Sequence, residues 1–563
     1  MKNIKWINRN WIGFLFICQL LLCFFFSLNY IIRENKDRPL KVVSQKYTNQ
    51  EELLSTLNDN QFILDHNTML KSESDFTGFI NVTKSGKYFD GYNIFGITPT
   101  RINYSDPDLM LKRKLIITDM EGKIINRAPL GVIFDLYNST TLLVKDKVDP
   151  GLLEFGSMFM WNFISNKTRE IGPCGHHEIE YNPNNHSYFT FIAYKEDING
   201  TTYEFDRIIE FNFAREEIWS VDTQSFISHT QRCPYCSFGE SITHSNSIFY
   251  DPDEDVIYVN MRNINTFYKI NHKTKRILWG LGEYGNFTLF DINGNQKDNL
   301  FYHAHAVEKI NENTFILFDN DWHNKSDPFN ERSRIVEITI DTTTMIASES
   351  WIRIFPYDYF SPVVGDADRL PNGNRFATFG NLLWQDPNPD EAAYGARLTE
   401  VNETGNIVWE MNFPVNDYKI AVYRAERICF APIISNSKDI EAKSTEKINV
   451  SWKTWYNFRT NQKMVGFFSI FLDGDKIDNG SLYFKKYWYP ITINCSLGQL
   501  ENGNHTLTLS VVDEGGHITY DNINISIKDF ILNNTSTTMG KTNIFAIIFF
   551  IFGFLFFLLI KKR

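Results

Sequence analysis

A repeated unit of two strands constrains the fold of this chain more than any other feature of its sequence. Each unit has a strand with alternating apolar residues, a polar turn and a second strand that ends in or next to a tryptophan. Clear copies occupy 207–220, 266–280, 334–352 and 397–410, and a weaker copy occupies 115–127. Units spaced roughly 60–70 residues apart, each too small to bury its own apolar face, are typical of stacked repeat architectures. The sequence therefore predicts an all-β fold with a five- or six-bladed β-propeller over residues 75–436.

A second β-rich unit follows the repeats. Alternating strands occupy 447–453, 467–475 and 505–528, and the last segment is a hairpin with a turn at Glu514-Gly515-Gly516. This pattern predicts a C-terminal immunoglobulin-like β-sandwich over residues 437–531, without the Cys–Trp–Cys spacing of antibody domains.

Both ends of the chain are strongly apolar and have basic residues on their outer sides. We interpret 1–33 as an uncleaved signal anchor in preference to a cleaved signal peptide, because the apolar run is long and lacks a small-residue cleavage site. Residues 34–74 are predicted to form a polar stalk and 532–543 a linker. Residues 544–560 are predicted to be a C-terminal transmembrane helix near the lower length limit for spanning a bilayer. The positive-inside rule then puts both termini in the cytosol and the main domain in the lumen.

Glycosylation signals and cysteines agree with that topology. All sixteen N-x-S/T sequons lie between the two apolar ends, and a protein carrying them belongs in the secretory pathway. We predict glycosylation at Asn81, Asn103, Asn138, Asn166, Asn199, Asn286, Asn402, Asn449, Asn479 and Asn524. Cys233 and Cys236 are predicted to form a local disulfide, with a luminal oxidoreductase dithiol as the less favoured alternative. The predicted location is a membrane of the endoplasmic reticulum, Golgi or cell surface, with the lipid bilayer as a partner.

The charge pattern excludes one class of partner. The formal net charge is −11 and no basic stripe interrupts the chain, so nucleic-acid binding is not expected.

Histidines and arginines that flank predicted strands are the candidates for chemistry. In a propeller, loops of successive blades meet on the axis, so one such residue per blade can build a joint site. The candidates are His244, His303, His305, His323, Arg262 and Arg334. We interpret His176 and His177 as hydrogen-bonding residues at a blade edge, and Asp319 to Asp321 as a turn capped by its own side chains. No metal site is predicted.

Six short elements in a fixed order give the chain a resemblance to a known family. They are H-S-N-S-I at 244–248 with an acidic turn and a strand ending at Arg262, I-L-W-G-L-G at 277–282, the histidine at 305, F-D-N at 318–320, Ser333-Arg334, and L-P-N-G-N at 370–374. Over roughly residues 85–415 the chain resembles the arylsulfotransferases.

The resemblance implies transfer of a sulfuryl group from an aryl sulfate to a phenol through a histidine, with neither a nucleotide donor nor a cofactor. His244 and His305 match two site histidines of the family. Arg334 lies in the family's S-R element, with Arg262 and Arg332 as rivals for binding the sulfuryl oxygens. The chain departs from the family in lacking a late histidine between His323 and His505. His303 or His323 could substitute.

A different class of function remains as an alternative. A non-catalytic propeller would bind a glycan, a small molecule or a protein on the same face. Histidines gathered in one central cavity favour the enzyme, and histidines scattered among blade edges favour the binding module.

Overall fold

The computed structural model describes residues 80–101, 114–128, 131, 133–145, 156–231, 241–323, 331–382, 394–415, 418–435, 438–457, 459, 464–486 and 488–528. The chain divides into the units Met1–Ser72 and Glu73–Arg563, and every described residue belongs to the second. The predicted signal anchor, stalk, linker and C-terminal transmembrane helix lie outside the described residues, as do Asn103, Cys233 and Cys236. No helix in the described ranges has the length and hydropathy needed to cross a bilayer.

The described structure is built from strands, which confirms the predicted all-β class. Its helical backbone is confined to short 3-10 turns at Thr223–Ser225, Arg262–Ile264 and Tyr357–Tyr359. The first strands are β1 (Asn81–Lys84), β2 (Tyr92–Arg101), β3 (Lys114–Thr118), β4 (Ile124–Arg127), β5 (Ile133–Asn138), β6 (Thr141–Lys145), β7 (Gly156–Asn162), β8 (Lys167–Cys174), β9 (His176–Asn182), β10 (Ser187–Ile198), β11 (Thr201–Asn212) and β12 (Glu217–Asp222).

The next strands complete the larger part of the molecule. They are β13 (Ser245–Asp251), β14 (Val256–Met261), β15 (Thr266–Asn271), β16 (Ile277–Gly282), β17 (Thr288–Phe290), β18 (Gln296–Lys297), β19 (His305–Asn311), β20 (Thr314–Asp319), β21 (Arg334–Asp341), β22 (Ile346–Ile354), β23 (Asp366–Arg369), β24 (Arg375–Phe379), β25 (Tyr394–Val401), β26 (Ile407–Pro414) and β27 (Tyr418–Ile428).

Six sheets follow one another along the chain, and their strand pairs are antiparallel except for β17 with β22, which is parallel. Their strand orders are β27-β2-β3-β4, β5-β6-β7-β8, β9-β10-β11-β12, β13-β14-β15-β16, β19-β20-β21-β22 with β17 and β18 beyond β22, and β23-β24-β25-β26 with β1 beyond β26. We call the first strand given for each sheet its leading strand. The leading strands lie side by side in the order β5, β9, β13, β19, β23 and β27. The six leading strands are therefore the elements that can carry a shared site.

Two pairings join the ends of this region. β1 adds to the last sheet, with Asn81 opposite Asn412, although it comes first in the chain. β27 comes last but pairs with β2 in the first sheet, with Tyr92 opposite Ile428. The N-terminal strand of this region is thereby held by its last sheet, and the C-terminal strand is held by its first sheet.

The repeat found in the sequence corresponds to the third and fourth strands of five sheets. Every residue of β14 is buried, because both faces of an interior strand are covered by neighbouring sheets. The repeat tryptophans bind the next sheet along: Trp219 Nε1 donates to the His272 carbonyl at 2.7 Å and Trp351 Nε1 to the Glu403 carbonyl at 2.9 Å. Both acceptors lie in the turn between the third and fourth strands of the following sheet.

A smaller pair of sheets forms the C-terminal part. Its strands are β28 (Ile433–Ile434), β29 (Ile440–Ala442), β30 (Ile448–Trp455), β31 (Val465–Leu472), β32 (Asp475–Tyr483), β33 (Ile491–Leu497), β34 (Gly503–Asp513) and β35 (Ile518–Ile527). The sheet orders are β28-β30-β33 and β29-β35-β34-β31-β32. β30 alternates between buried and exposed positions, as expected for a strand with one face on a core. Trp452, Ile470 and Leu509 share this core.

The C-terminal part also places two cations beside leading strands of the larger part. The Lys486 ammonium lies 3.3 Å from Asp135 on β5 and 3.0 Å from Glu180 on β9, all three side chains being buried. Arg459 Nε donates to Glu426 on β27 at 2.6 Å. Since isolated buried carboxylates are costly, these cations help to join the two parts.

Candidate active site

Histidines occupy the starts of three neighbouring leading strands. His177 is the second residue of β9, His244 immediately precedes β13, and His305 begins β19. Because these strands lie side by side, their starts bring the three rings together. The rings of His177 and His244 have centroids 4.7 Å apart. Two of the four histidines predicted from the sequence, His244 and His305, therefore lie in one cluster with His177, which we call the histidine cluster.

The backbone around this cluster adopts unusual conformations. His177, His244 and His303 have φ values of 59°, 45° and 56°, and Ala306 and Val364 have φ values of 50° and 58°. Positive φ is disfavoured for non-glycine residues, above all for the β-branched Val364. Backbone strain of this kind gathers at functional sites.

His177 links His244 to a tyrosine from the last strand of the larger part. Its Nδ1 lies 3.0 Å from the Tyr423 hydroxyl and its Nε2 lies 3.0 Å from His244 Nε2. In each facing pair one atom must donate the hydrogen bond and the other must accept it, so two tautomeric arrangements satisfy the chain Tyr423–His177–His244. Switching between them moves a proton from one end of the chain to the other.

Asp206 holds the segment that carries His244. Its Oδ2 accepts hydrogen bonds from the Ser245 backbone N–H at 2.6 Å and the Thr243 hydroxyl at 2.7 Å. Its Oδ1 lies 2.8 Å from His176 Nε2. Burial alone would raise the pKa of Asp206, but His176 and these hydrogen bonds lower it to about 2. Asp206 is therefore ionised and fixes both neighbours of His244.

His305 has a fixed tautomer. Its Nδ1 lies 2.6 Å from Asn320 Oδ1 and 3.2 Å from the His303 carbonyl oxygen. The Asn320 amide nitrogen donates to the carbonyls of Ser361 and Val364, which sets the orientation of the amide. Because both groups facing Nδ1 are acceptors, Nδ1 carries the proton. The lone pair of His305 is consequently on Nε2.

The cluster histidines are held neutral. Burial first, and then the charge of Arg262, lower the pKa of His305 well below its usual value. The same two causes in the same order lower the pKa of His244 to about 3. Burial and the neighbouring His244 lower the pKa of His177. Neutral imidazole is the nucleophilic and proton-accepting form, so these rings are ready for either role near neutral pH.

Arg262 supplies positive charge beside the cluster. Its guanidinium is buried and donates to Asn263 Oδ1 at 3.0 Å and to the Pro362 carbonyl at 3.4 Å. It also lies 5.8 Å from the ring of Trp322, on which the His303 ring packs edge-to-face. His303 is fully buried there. Arg262 and His303, both predicted from the sequence, thus lie together around Trp322.

Arg334 makes structural contacts. Its Nε lies 2.9 Å from Asp319 Oδ2, one terminal nitrogen lies 3.2 Å from Glu349 Oε1, and the other donates to the Leu300 carbonyl at 2.7 Å. These acceptors belong to β20, β22 and the segment before β19. The guanidinium therefore joins neighbouring strands of the fifth sheet.

His323 lies in a partly exposed position after β20. Its ring stacks on Tyr302 with centroids 4.3 Å apart, and its Nδ1 lies 3.1 Å from Asp321 Oδ1. The hydrogen bond to Asp321 raises the pKa of His323 to about 9. This imidazole is protonated near neutral pH, unlike those of the histidine cluster.

Asn81, Asn166, Asn199, Asn286, Asn449, Asn479 and Asn524 of the predicted glycosylation sites are exposed, whereas Asn138 and Asn402 are half-buried. Among the described residues, Cys429 and Cys495 are free thiols. Glycosylation of the asparagines and the disulfide between Cys233 and Cys236 stay predictions.

Sequence reasoning missed His177, Tyr423 and Asn320 as members of the site. The paired histidines at 176–177 carried a signal, since two adjacent histidines at a strand start can reach a shared cavity. Asn320 belongs to the F-D-N family element but was not among the candidate histidines and arginines. Tyr423 carried no signal, because only the fold brings β27 to this place.

Comparison with known proteins agrees with the site. An all-β protein with a buried cluster of neutral histidines beside an arginine is suited to bind and transfer an anionic group. The family model for arylsulfotransferase (ASST) matches residues 109–424, more than half of the chain. The chain belongs to the arylsulfotransferase family. No curated protein matches it.

Several solved structures are distantly similar. They include the CARDB domain of the PF1109 protein from Pyrococcus furiosus, with 7% identity, 17% of this chain and 90% of that chain covered and a TM-score of 0.15. A luciferin-regenerating enzyme has 9% identity, covers 66% of this chain and 93% of its own, and has a TM-score of 0.27. Hydrazine synthase from Kuenenia stuttgartiensis has 10% identity, covers 57% and 79%, and has a TM-score of 0.28.

Proposed function

We propose that this protein is a membrane-anchored arylsulfotransferase that moves a sulfuryl group from an aryl sulfate to a phenolic acceptor through a histidine. The proposal includes a six-bladed β-propeller made of the six sheets, with the histidine cluster at the mouth of its axis. Support for the propeller comes from the six sheets in chain order and from the exchange of β1 and β27 between the first and last sheets. Family membership supports the reaction.

The observation that carries the proposal is the tautomer of His305. Asn320 and the His303 carbonyl hold the proton on Nδ1, which leaves the Nε2 lone pair to attack sulfur. The depressed pKa keeps this nitrogen unprotonated. We therefore assign His305 as the nucleophile in preference to His303 and His323.

The first half of the reaction forms an N–S bond and breaks the S–O bond to the aryl group. His305 Nε2 attacks sulfur, and the phenolate leaves and takes a proton from the chain Tyr423–His177–His244. Arg262 supplies positive charge to the sulfuryl oxygens, as guanidinium groups do for oxyanions. The products of this half are a sulfated His305, a free phenol and the chain Tyr423–His177–His244 with one proton fewer.

The second half reverses these changes with a different phenol. The acceptor hydroxyl gives its proton to the same chain and its oxygen attacks sulfur, while the N–S bond breaks. His305 and the chain Tyr423–His177–His244 return to their starting states, so protons and charge balance over one cycle. The two tautomeric arrangements of His177 make this chain suited to both halves.

Tyr423 lies at one end of the proposed proton-transfer chain. The chain lacks the late histidine that the family resemblance implies, and the last leading strand places Tyr423 against His177. We assign Tyr423 to proton transfer, which leaves covalent catalysis to His305.

The anchor, lumenal topology and glycosylation remain part of the proposal on sequence grounds. Exposure of seven of the predicted asparagines is compatible with it.

Transfer from p-nitrophenyl sulfate to phenol by the purified full-length protein tests the function. We expect p-nitrophenol release that depends on the acceptor and is lost in His305→Gln. His505→Gln changes a histidine that pairs with Asp473 in the C-terminal part and should retain activity. No release from folded wild-type protein with several aryl sulfates would contradict the proposal and favour a binding propeller.

A further inference from the structure

Three carboxylates from two neighbouring leading strands meet inside the larger part of the molecule. Glu308 lies on β19, and Asp366 and Asp368 lie on β23. Asp366 and Asp368 are two residues apart on a strand and so face the same side. One oxygen from each carboxylate can be chosen so that all three lie within 4.8 Å of one another. We call these residues the acidic triad.

The acidic triad is sealed from solvent. Glu308, Asp366 and Asp368 are 2%, 1% and 0% exposed. Both oxygens of Glu308, both oxygens of Asp368 and Oδ2 of Asp366 have no hydrogen-bond partner among the described residues. Burying ionised carboxylates without hydrogen bonds is strongly unfavourable, so these groups need either protons or a cation here.

The arginines nearby do not supply enough positive charge. Arg424 binds both oxygens of Glu178 at 2.9 and 2.8 Å and reaches Asp366 only at 3.4 Å. Arg459 binds Glu426 at 2.6 Å and reaches Glu308 only at 3.6 Å. Two guanidiniums thus face five carboxylates, namely the triad with Glu178 and Glu426.

We propose that Glu308, Asp366 and Asp368 bind one divalent cation of the hard, oxygen-preferring kind, with Ca²⁺ as the best fit. Ca²⁺ takes 6–8 oxygen ligands at about 2.3–2.6 Å. Two oxygens on opposite sides of one such ion are therefore about 5 Å apart. The three oxygens of the triad lie within 4.8 Å of one another, so they can bind the same ion. Three carboxylates can provide several of the ligands, and a cation of charge +2 offsets most of the excess negative charge.

The carboxylates of the acidic triad repel one another. Burial first, and then the neighbouring carboxylates, raise the pKa of both Glu308 and Asp368 well above the usual value. A bound cation would replace that repulsion with attraction. The ion would join β19 to β23, whose starts carry His305 and the Gly365 turn, so its role is structural support of the site.

This proposal does not depend on sulfuryl transfer, and its test is a binding measurement. Full-length protein in detergent is stripped with EDTA, dialysed against metal-free buffer and equilibrated with ⁴⁵Ca²⁺ at micromolar free concentration. We expect one tightly bound Ca²⁺ per chain, with weaker competition by Mg²⁺. Asp368→Asn and Glu308→Gln should each weaken this binding at least tenfold.

A matched control separates the triad from other buried acids. Glu410 is also buried and accepts a hydrogen bond from the Tyr359 hydroxyl at 2.6 Å. The Glu410→Gln variant therefore loses a buried carboxylate that is not part of the triad. This variant should bind Ca²⁺ as the wild type does. Ca²⁺ should also raise the melting temperature of the wild type and of Glu410→Gln, and leave that of Asp368→Asn unchanged.

The wild-type measurement alone can overturn the proposal. Absence of a tightly bound ion, together with a melting temperature that does not respond to Ca²⁺, would mean that the triad keeps protons in place of a cation. Equal Ca²⁺ binding by the wild type and both triad variants would place the ion elsewhere and would equally refute the site.

Discussion

The indole N–H of Trp409 donates a 3.0 Å hydrogen bond to the carbonyl oxygen of Met120. Trp409 ends the last copy of the sequence repeat, and Met120 lies in the turn of the first copy. The contact repeats what Trp219 and Trp351 do with the sheets that follow them. The last repeat therefore contacts the first repeat in the way that other repeats contact the one that follows them. This relationship is expected in a closed ring.

Loss of this contact should destabilise the protein. Trp409 is fully buried, so Trp409→Phe leaves a cavity and an unsatisfied buried carbonyl, and should lower the free energy of unfolding by about 2–4 kcal/mol. Trp351→Phe removes the equivalent bond at a half-buried position and should cost about 1 kcal/mol. Chemical denaturation of both variants measures the difference. Equal losses would contradict a special role for the junction.

Adjacent lysines should differ in their effect on stability. Lys486 is buried between Asp135 and Glu180, and Lys485 makes an exposed pair with Asp253 at 2.7 Å. Lys486→Met leaves two buried carboxylates without their cation and should cost about 3–5 kcal/mol. Lys485→Met should cost under about 1 kcal/mol. Thermal and denaturant unfolding of the two variants compare them directly, and similar stabilities would refute the buried ion pair.

Asn320 should act as a positioning residue for His305. Asn320→Leu removes the acceptor that holds the proton on Nδ1, so kcat should fall about 10- to 100-fold, the usual cost of losing such an orienting partner. KM for the aryl sulfate should change little, because both ends of the Asn320 amide are already engaged by His305 and by the carbonyls of Ser361 and Val364. Steady-state kinetics at several pH values, with melting temperature as a folding control, test this role. A change confined to KM, or a fall in activity that follows the loss of folded protein, would count against it.

Arg262 and Arg334 should separate chemistry from stability. Arg262→Lys replaces the planar guanidinium beside the histidine cluster and should lower kcat about 100-fold with little loss of stability. Arg334→Lys breaks the fork that joins Asp319 and Glu349, and should mainly lower the melting temperature. If Arg334→Lys instead lowered kcat and Arg262→Lys lowered the melting temperature, Arg334 would be the residue that binds the sulfuryl oxygens, as its family element implies.

The neutral histidine cluster should weaken folding in acid. The folded-state pKa of His244 is about 3, below the usual value of 6.5, so the unfolded chain binds the proton first as pH falls. Each such histidine then removes stability as pH falls from about 6.5 towards 3, at up to about 1.4 kcal/mol per pH unit. Melting temperatures of wild type and His244→Gln between pH 7 and pH 5 test the sign. A wild type that loses no more stability than the variant would contradict it.

Local patterns in the sequence were enough to predict the all-β class and the family. The alternation and terminal tryptophans of the repeat are local properties of strands that face their neighbours. The F-D-N element lies at the end of β20, and the L-P-N-G-N element is a turn. His244, His305, His303 and Arg262 were predictable because each flanks a strand that carries the family's pattern.

Other features depend on contacts between distant segments. The hydrogen bond from His177 to Tyr423 spans 246 positions, and the Lys486 contact with Asp135 spans 351. No periodicity in either segment indicates such a pairing. Arg334 was predicted to bind sulfuryl oxygens from its family element alone, and only the structure reveals that Asp319 and Glu349 engage its guanidinium.

Intact-mass analysis of the full-length, deglycosylated protein tests the central claim most directly. The protein is exposed briefly to excess p-nitrophenyl sulfate, unfolded at neutral pH and digested to locate any adduct. We predict one SO₃ group per chain on His305, which disappears when phenol is added and is absent in His305→Gln. An adduct on any other residue, or p-nitrophenol release with no adduct at all, would contradict His305 as the nucleophile.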